Sequence, residues 1–468
     1  MDTRSQPRLY RPSAVVVLTG AAFLASLDLF IVNVAFDEIG RDFGTASLGR
    51  LSWILNAYAV VYAALLVPMG RLTDRYGRKS GFVAGLIVFT AASLACGFAP
   101  GVWWLVSARV VQAIGAAAMT PASLGLLLAT LPPERRAAGA RLFAITGAVA
   151  AAFGPAVGGG LVQISWQAAF WINVPLGILL VAATLKVVPD VRHNQDAPRP
   201  DLLGGVILAV AIAALVLGIV QGNDWGWSSD RVLGAWVVAA VGAGAFGWLI
   251  THHRAPVIDP ALLRVPSFAW ANVAQLTFNI AFGVGLLSRI LWMQEHWDYS
   301  ALRTGLAVAL GPAIVPITSI LVTRWLSRVA PGVLIAIGTT LFAVSGVWQA
   351  LATGPSPAYV ADMLGPWILG GIGVGFALPQ LMAAATSALP AHQTATGSGV
   401  VNMGRQVGLV LGTSIMVGIL GDGVPSLARF QHVWIFLAIT SFAAGLAALA
   451  MEAVRRPAAV PVLVPAED

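Results

Sequence analysis

The sequence predicts an all-α polytopic membrane protein with fourteen transmembrane helices, and three observations carry that prediction. First, 58% of its 468 residues are apolar and only 10% are charged, with a mean hydropathy of +0.83. An average soluble domain is roughly one-quarter charged, so this chain cannot cover a water-facing surface. Second, apolar windows of about 20 residues, the length a helix needs to cross the bilayer core, recur along the whole chain. Third, the 27 Lys and Arg residues are distributed unevenly between alternate connections. The 50 glycines and 16 tryptophans fit the same class, because Gly permits close helix packing and Trp favours the headgroup level.

In order, the spans fall near 14–36, 51–70, 81–99, 102–129, 138–163, 168–188, 202–220, 232–250, 269–293, 304–325, 332–351, 359–387, 396–420 and 431–453. An even count leaves both termini on one side. With the N-terminus placed in the cytoplasm, nineteen basic residues fall in the tails and loops of that side and five on the other. The remaining three, Arg109, Arg289 and Arg405, lie inside spans. The positive-inside rule therefore predicts cytoplasmic termini, and the net charge of +7 reads as a topology signal rather than a nucleic-acid footprint. The first apolar run contains Asp28 and lacks a convincing cleavage site, so it reads as a retained helix.

Polar connectors divide the chain. Residues 1–13 form a cytoplasmic tail, 14–188 a first six-helix bundle, 189–268 a linker with two extra spans, 269–454 a second six-helix bundle, and 455–468 a second tail. The stretches 189–201 and 251–267 are the Pro-containing, charged connectors. A single cysteine, Cys96, excludes a disulfide framework and a CxxC site. No GxxxxGK[ST], HExxH or GxSxG pattern occurs. The run GGIGVG at 370–375 lies in an apolar span with no preceding strand and reads as helix packing. The expectation is a non-enzyme with no cofactor, whose work draws on an ion gradient or the substrate's own gradient.

Residues 70–81, GRLTDRYGRKSG, are predicted as the loop after span two. A plain basic anchor would explain the cations. The pattern of Gly70, Arg71, Asp74, Arg75, Gly77, Arg78 and Lys79, however, resembles motif A of the major facilitator superfamily. That resemblance implies that Asp74 meets a helix N-terminus or an arginine of the other half in the outward-open state. An ion pair made in one state only biases alternating access.

Span five reads GAVAAAFGPAVGGG, residues 147–160, and the spacing of Gly147, Gly154 and Gly158 puts them on one helix face. Small-residue packing explains such a face. The order Gly154-Pro155 followed by Gly158-Gly159 also resembles motif C, which in this superfamily marks antiporters. LDLFIVNVAF (27–36), WQAAFWINVPLG (166–177), DLLGGVIL (201–208) and QGNDWGW (221–227) are similar to stretches of its fourteen-span drug:proton antiporter family. Three positions depart from the family pattern: Asp37 stands for a proline, Phe30 for a small hydroxyl residue and Gln167 for an arginine. In the second half, TRWLSRVAPG (323–332) is a decayed copy of motif A with Ser327 in place of the acid.

A charge at the bilayer centre costs roughly 2.5–3.5 kcal/mol on insertion scales, so it is expected to be paired or to line a wet cavity. Asp28 is the one acid deep in a span, Glu295 and Asp362 lying near span ends. Proton coupling needs a carboxyl whose protonation follows access, which makes Asp28 the candidate. Arg109, in RVVQAIGAAAMTP (109–121), resembles the motif B arginine associated with proton transfer, and Gln112 shares its helix face. Asn402 and Arg405 are neighbours on one face of NMGRQVGLVLG (402–412), another family-like stretch, with Gly404, Gly408 and Gly412 on a separate packing stripe. Arg289 is left with two readings, contact with an anionic or zwitterionic substrate group, or snorkelling to an interface. For each charge, a neutralised pair that only fixes packing is the competing explanation.

The predicted substrate cavity comprises Asp28, Asn33, Gln112, Asn279, Arg289, Asn402 and Arg405, between the two halves near the midplane. The expectation is an inner-membrane, lipid-embedded monomer that exports small amphipathic drugs or antibiotics in exchange for protons. Export of one specific metabolite or lipid is the nearest rival. A non-transporting receptor and a membrane-embedded enzyme are more distant ones.

Overall fold

The structure, a computed structural model, describes residues 12–45, 47–190, 200–387, 389, 394–421 and 424–455. Both tails and most of the 189–201 connector lie outside the described residues. Among those described, fourteen helical segments are long and apolar enough to cross a membrane, as the hydropathy pattern predicts. In the first half they are α1 (Pro12–Val34), α3 (Leu48–Tyr76), α4 (Arg78–Gly97), α5 (Val102–Thr130), α6 (Pro133–Val162) and the pair α7 (Ala168–Trp171) and α8 (Asn173–Val187). The short α2 (Phe36–Asp42) lies between α1 and α3. Two extra spans, α9 (Leu202–Trp225) and α10 (Asp230–His252), follow, and a short α11 (Pro260–Leu263) precedes the second half. That half contains α12 (Pro266–Glu295), α13 (Ala301–Trp325), α14 (Pro331–Ala352), a π-helical turn (Tyr359–Leu364) leading into α15 (Gly365–Ser387), α16 (Thr394–Leu420) and α17 (Leu427–Ala453).

Helices are the structural solution here because lipid offers no hydrogen bonds, so each span must satisfy its backbone internally. Where a span begins at a loop, a side chain often takes over an orphan N–H. Ser47 caps α3, Asp201 caps α9, Ser229 caps α10, Ser300 caps α13 and Ser426 caps α17.

The segment 70–81 is a correction. It is not a loop: α3 continues to Tyr76, α4 starts at Arg78, and Gly77 alone turns the chain, at a φ of 122° that favours glycine. Its N–H still bonds the Thr73 carbonyl (2.9 Å), and Gly81 closes the other side onto the Gly77 carbonyl (3.0 Å). The apolar window ends near Gly70, but a basic and polar turn can stay helical once it leaves the lipid. For the same reason α9 runs through the polar residues Gln221–Asp224 to Trp225.

The two halves repeat one packing scheme. In the first, α1 packs on α6, α4 on α5, and α3 on α5; in the second, α12 packs on α16, α14 on α15, and α13 on α15. The halves meet along two seams, α6 against α13 and α3 against α16. The extra helix α9 lies on the second seam, touching both α3 and α16, and α10 packs on α9.

Several contacts join the halves at the end of the bundle opposite the termini. Gln294 at the end of α12 donates to the Val34 carbonyl at the end of α1 (3.2 Å). Asn56 of α3 donates to Ser414 Oγ of α16 (3.1 Å), and both residues are buried. A Cβ at Gly159 would collide with the backbone of Ala301 and Leu302, and one at Gly305 with the Pro155 carbonyl, so α6 and α13 touch backbone to backbone there.

Candidate functional site

Asp28 sits on α1 with no exposed surface, and polar groups from two other helices converge on it. Arg109 of α5 places Nη1 2.5 Å from Asp28 Oδ2. The same Nη1 donates to Gln112 Oε1 (2.7 Å), while Gln112 Nε2 donates to Asp28 Oδ1 (3.0 Å). Asn173, the first residue of α8, donates from Nδ2 to Asp28 Oδ1 (2.8 Å) and to Ser93 Oγ of α4 (2.9 Å). Ser93 Oγ in turn donates to the Phe170 carbonyl (2.9 Å). Arg109 Nε reaches the Ile54 carbonyl (3.3 Å), and its guanidinium carbon lies 4.0 Å from the Tyr58 ring centroid.

Local sequence explains the convergence. Gly85 and Gly115 let α4 and α5 approach backbone to backbone: a Cβ at Gly85 would lie 2.8 Å from the Gly115 carbonyl. A Cβ at Gly177 would collide with Thr90, so α8 lies hard against α4 and delivers Asn173 to the site. Chemically, the carboxylate accepts three charged or amide donors, the charged one being the strongest. Breaking such a buried pair from one side leaves an uncompensated charge, which costs about 3–5 kcal/mol.

Of the predicted site residues, the structure brings Asp28, Arg109 and Gln112 into one cluster. Asn33 folds back on its own helix, donating to the Leu29 carbonyl (2.9 Å). Asn279 and Asn402 do the same toward Gln275 (2.7 Å) and Ser398 (3.0 Å). Asn279 also meets α16, where a Cβ at Gly408 would come 2.8 Å from it, and Gly412 likewise packs on Ile280, as the small-residue stripe predicts. Arg405 lies across the α3–α16 seam, close enough to Tyr62 to interact electrostatically, with its Nε unpaired. Tyr62 stacks on Tyr58 at 6.0 Å, so an aromatic pair stands between Arg405 and Arg109. Arg289 is enclosed in the second half, so it does not snorkel.

Asn173, Tyr58 and Ser93 were not singled out by the sequence. For Asn173 the signal was present, an amide in an apolar helix within the 166–177 stretch. For Ser93 there was none, since serines in spans usually bond their own helix.

The motif-A residues form a local network in this conformation. Asp74 pairs with Arg78 Nε at 2.5 Å, four residues on, rather than with the other half. Arg78 also reaches the Gly125 carbonyl of α5 (3.3 Å), and Lys79 the Leu185 carbonyl of α8 (3.5 Å). Arg71 donates to the Pro256 carbonyl in the connector after α10. Gly70 packs on Pro121, while Arg75 lies beside the Tyr76 ring. The span-five pattern splits between two partners. Gly147, Gly154 and Gly158 face α1 at Ser26, Phe30 and Ile31, whereas Pro155 and Gly159 face α13. Outside the spans, Asp37 on α2 ion-pairs with Arg41 (2.5 Å), yet burial lifts its carboxyl above the usual range.

A fold of two equivalent six-helix halves is what the comparisons match. The family model described as Major Facilitator Superfamily matches residues 18–413. The chain belongs to the major facilitator superfamily. It is therefore a multi-pass membrane transporter and not an enzyme. Among its relatives in the superfamily, the multidrug resistance protein Stp of Mycobacterium tuberculosis is 32% identical over 86% of this chain and 75% of that protein. The methylenomycin A resistance protein of Streptomyces coelicolor is 31% identical over 94% and 90%. The cephamycin export protein CmcT of Amycolatopsis lactamdurans is 30% identical over 88% and 85%. A solved POT peptide transporter superposes with a TM-score of 0.72 over 96% of each chain at 14% identity, a likeness of fold alone.

Proposed function

We propose that this superfamily member is a proton-coupled antiporter exporting small amphipathic drugs or antibiotics across the inner membrane. It works as a lipid-embedded monomer with both termini cytoplasmic and the proton gradient as its energy source. The observation that carries this reading is the enclosed carboxylate of Asp28, held by Arg109, Gln112 and Asn173 in a protein whose relatives are named for drug resistance and export.

The cycle follows from the geometry. While Arg109 and the two amides hold Asp28, both of its carboxylate oxygens are occupied by donors. Movement of α1 relative to α5 weakens those bonds and lets a proton on. Arg109 then keeps a partner in Gln112 Oε1 and in the Tyr58 ring, so it is not abandoned when Asp28 is neutralised. The contacts at the far end, Gln294 to Val34 and Asn56 to Ser414, hold that end together in this conformation. Switching to the other state requires breaking them, and the Asp74–Arg78 pair is free to exchange partners at the opposite end.

The test is transport into inside-out vesicles under an imposed pH gradient. Wild-type protein accumulates a fluorescent amphipathic substrate against its gradient, and Asp28→Asn does not. Uphill accumulation by Asp28→Asn would move the proton site elsewhere, with Glu295 and Asp362 next in line. The topology is checked separately with the exposed positions Ser80 and Ser228: cysteines introduced there label from the cytoplasmic and external sides respectively. A narrower reading, export of one compound, is favoured by relatives named for a single antibiotic, methylenomycin A and tetracenomycin C. A panel of substrates in the same vesicles separates broad from single-compound export.

A further inference from the structure

The second half encloses a guanidinium of its own. Arg289 on α12 is 1% exposed, and every residue of α12 from Gly283 to Gln294 is buried. Its Nη1 donates to the Gly285 carbonyl one turn back (2.6 Å), and its Nε reaches Gln349 Oε1 of α14 at 3.4 Å. The guanidinium carbon lies 4.7 Å from the Trp367 ring centroid. Its Nη2 is buried and has no hydrogen-bond partner among the described residues. Among the described residues, no carboxylate lies within ion-pair distance of Arg289.

Arginine stays charged in proteins, so it cannot relieve this burial by losing its proton. The Trp367 face offsets part of the cost, but an aromatic quadrupole is a weaker partner than an anion. Gln349 offers its oxygen to Arg289, while its Nε2 donates to Thr353. Glycine at 285 keeps the guanidinium unobstructed, since a Cβ there would come within 3.2 Å of Nη1. Two apolar side chains, Phe342 and Leu437, form walls beside Gly285.

We propose that Arg289 anchors an anion-binding subsite in the second half, taking a singly charged carboxylate or halide on its unpaired Nη2. The apolar walls suit a carboxylate on an otherwise apolar molecule, and the same donor accepts chloride. Taken as the subsite for the exported compound's own acid group, the assignment rests on the export reading above and narrows the substrate class to amphipathic acids and zwitterions.

The experiment is thermal unfolding of the full-length protein in detergent, titrated with sodium benzoate, with sodium chloride, and with neutral benzamide as control. Wild-type protein shows a saturable rise in Tm with benzoate, chloride or both, and none with benzamide. A rise with benzoate alone assigns the subsite to organic carboxylates, and one with chloride alone to a halide. Arg289→Gln loses the rise, whereas Arg289→Lys keeps it at an about tenfold higher half-saturating concentration, because a point charge replaces the planar fork. Should the glutamine variant fail to fold, that displaced half-saturation in the lysine variant carries the test. Asp28→Asn, which reports on proton coupling, keeps the anion response, so the two readings fail separately. Absence of a saturable rise in wild-type protein, equal rises with benzoate and benzamide, or an undiminished response in both Arg289 variants would overturn the proposal.

Discussion

The cores of the two halves occupy the same place in the repeated fold and solve the same problem differently. Asp28 lies six residues before the end of α1 at Val34, and Arg289 six before the end of α12 at Glu295. Arg109, near the start of α5, faces the first; Trp367, near the start of the equivalent α15, faces the second. One half thus contains a cation and an anion paired with each other, with Gln112 and Asn173 also bonding the anion, although Arg109 Nη2, like that of Arg289, is buried with no hydrogen-bond partner among the described residues. The other contains a cation against an aromatic ring and an amide oxygen. The difference teaches that a charge can be enclosed with an opposite charge beside it or with only an aromatic face and neutral dipoles, the second case being the one for which we propose an incoming anion. Only the first kind includes a carboxyl, the group able to take up and release a proton, which is why proton coupling is proposed for the first half.

The sharpest way to break the comparison is to remove the titrating group. Asp28→Asn is expected to abolish uphill transport while leaving substrate binding measurable, since an amide still hydrogen-bonds. Binding of a substrate that carries a cationic group, as a zwitterion does, loses its pH dependence in the variant, checked by fluorescence titration across pH. Persistent pH dependence would place the titrating group outside this cluster.

Next in size is the contrast between the two arginines. Arg109→Gln strands the Asp28 carboxylate and is expected to destabilise the protein by about 3–5 kcal/mol. Arg289→Gln strands no opposite charge, so its unfolding midpoint in anion-free detergent solution matches or exceeds wild type. Equal losses in the two variants would mean that Arg289 has a carboxylate partner after all.

A smaller effect is expected at Asn173. Truncation to alanine removes donors to both Asp28 and Ser93, costing about 1–3 kcal/mol, with a weakened rather than abolished proton response in vesicles. A full loss of coupling would promote Asn173 from a positioning residue to part of the proton path. Smallest is Asp74→Asn. The Asp74–Arg78 pair is exposed, so stability is unchanged within error. Turnover falls several-fold while equilibrium substrate binding holds, provided that the pair exchanges partners during the cycle. Wild-type turnover would remove that role.

Much of the molecule was legible before folding. The fourteen spans, their order and the connectors follow from hydropathy, because lipid selects on the composition of each segment by itself. The 70–81 segment was misread as a loop for the same reason: hydropathy locates the lipid boundary, and α3 continues past it to Tyr76. Asp28, Arg109 and Gln112 stood out as polar residues where burial is costly, and Gln112 was tied to Arg109 by helical spacing. Only the tertiary structure decided what surrounds them. Asn173 reaches Asp28 from 145 residues away because Gly177 lets α8 press onto α4, a fact of helix rotation and contact that no local pattern encodes. Asn33, Asn279 and Asn402 looked equivalent to Gln112 in sequence, yet each turned back to its own helix. The absence of an acid beside Arg289 is likewise a property of the assembled half. Composition determines which segments enter the membrane, but a charge's partner depends on which faces meet, and that is decided only when the helices pack.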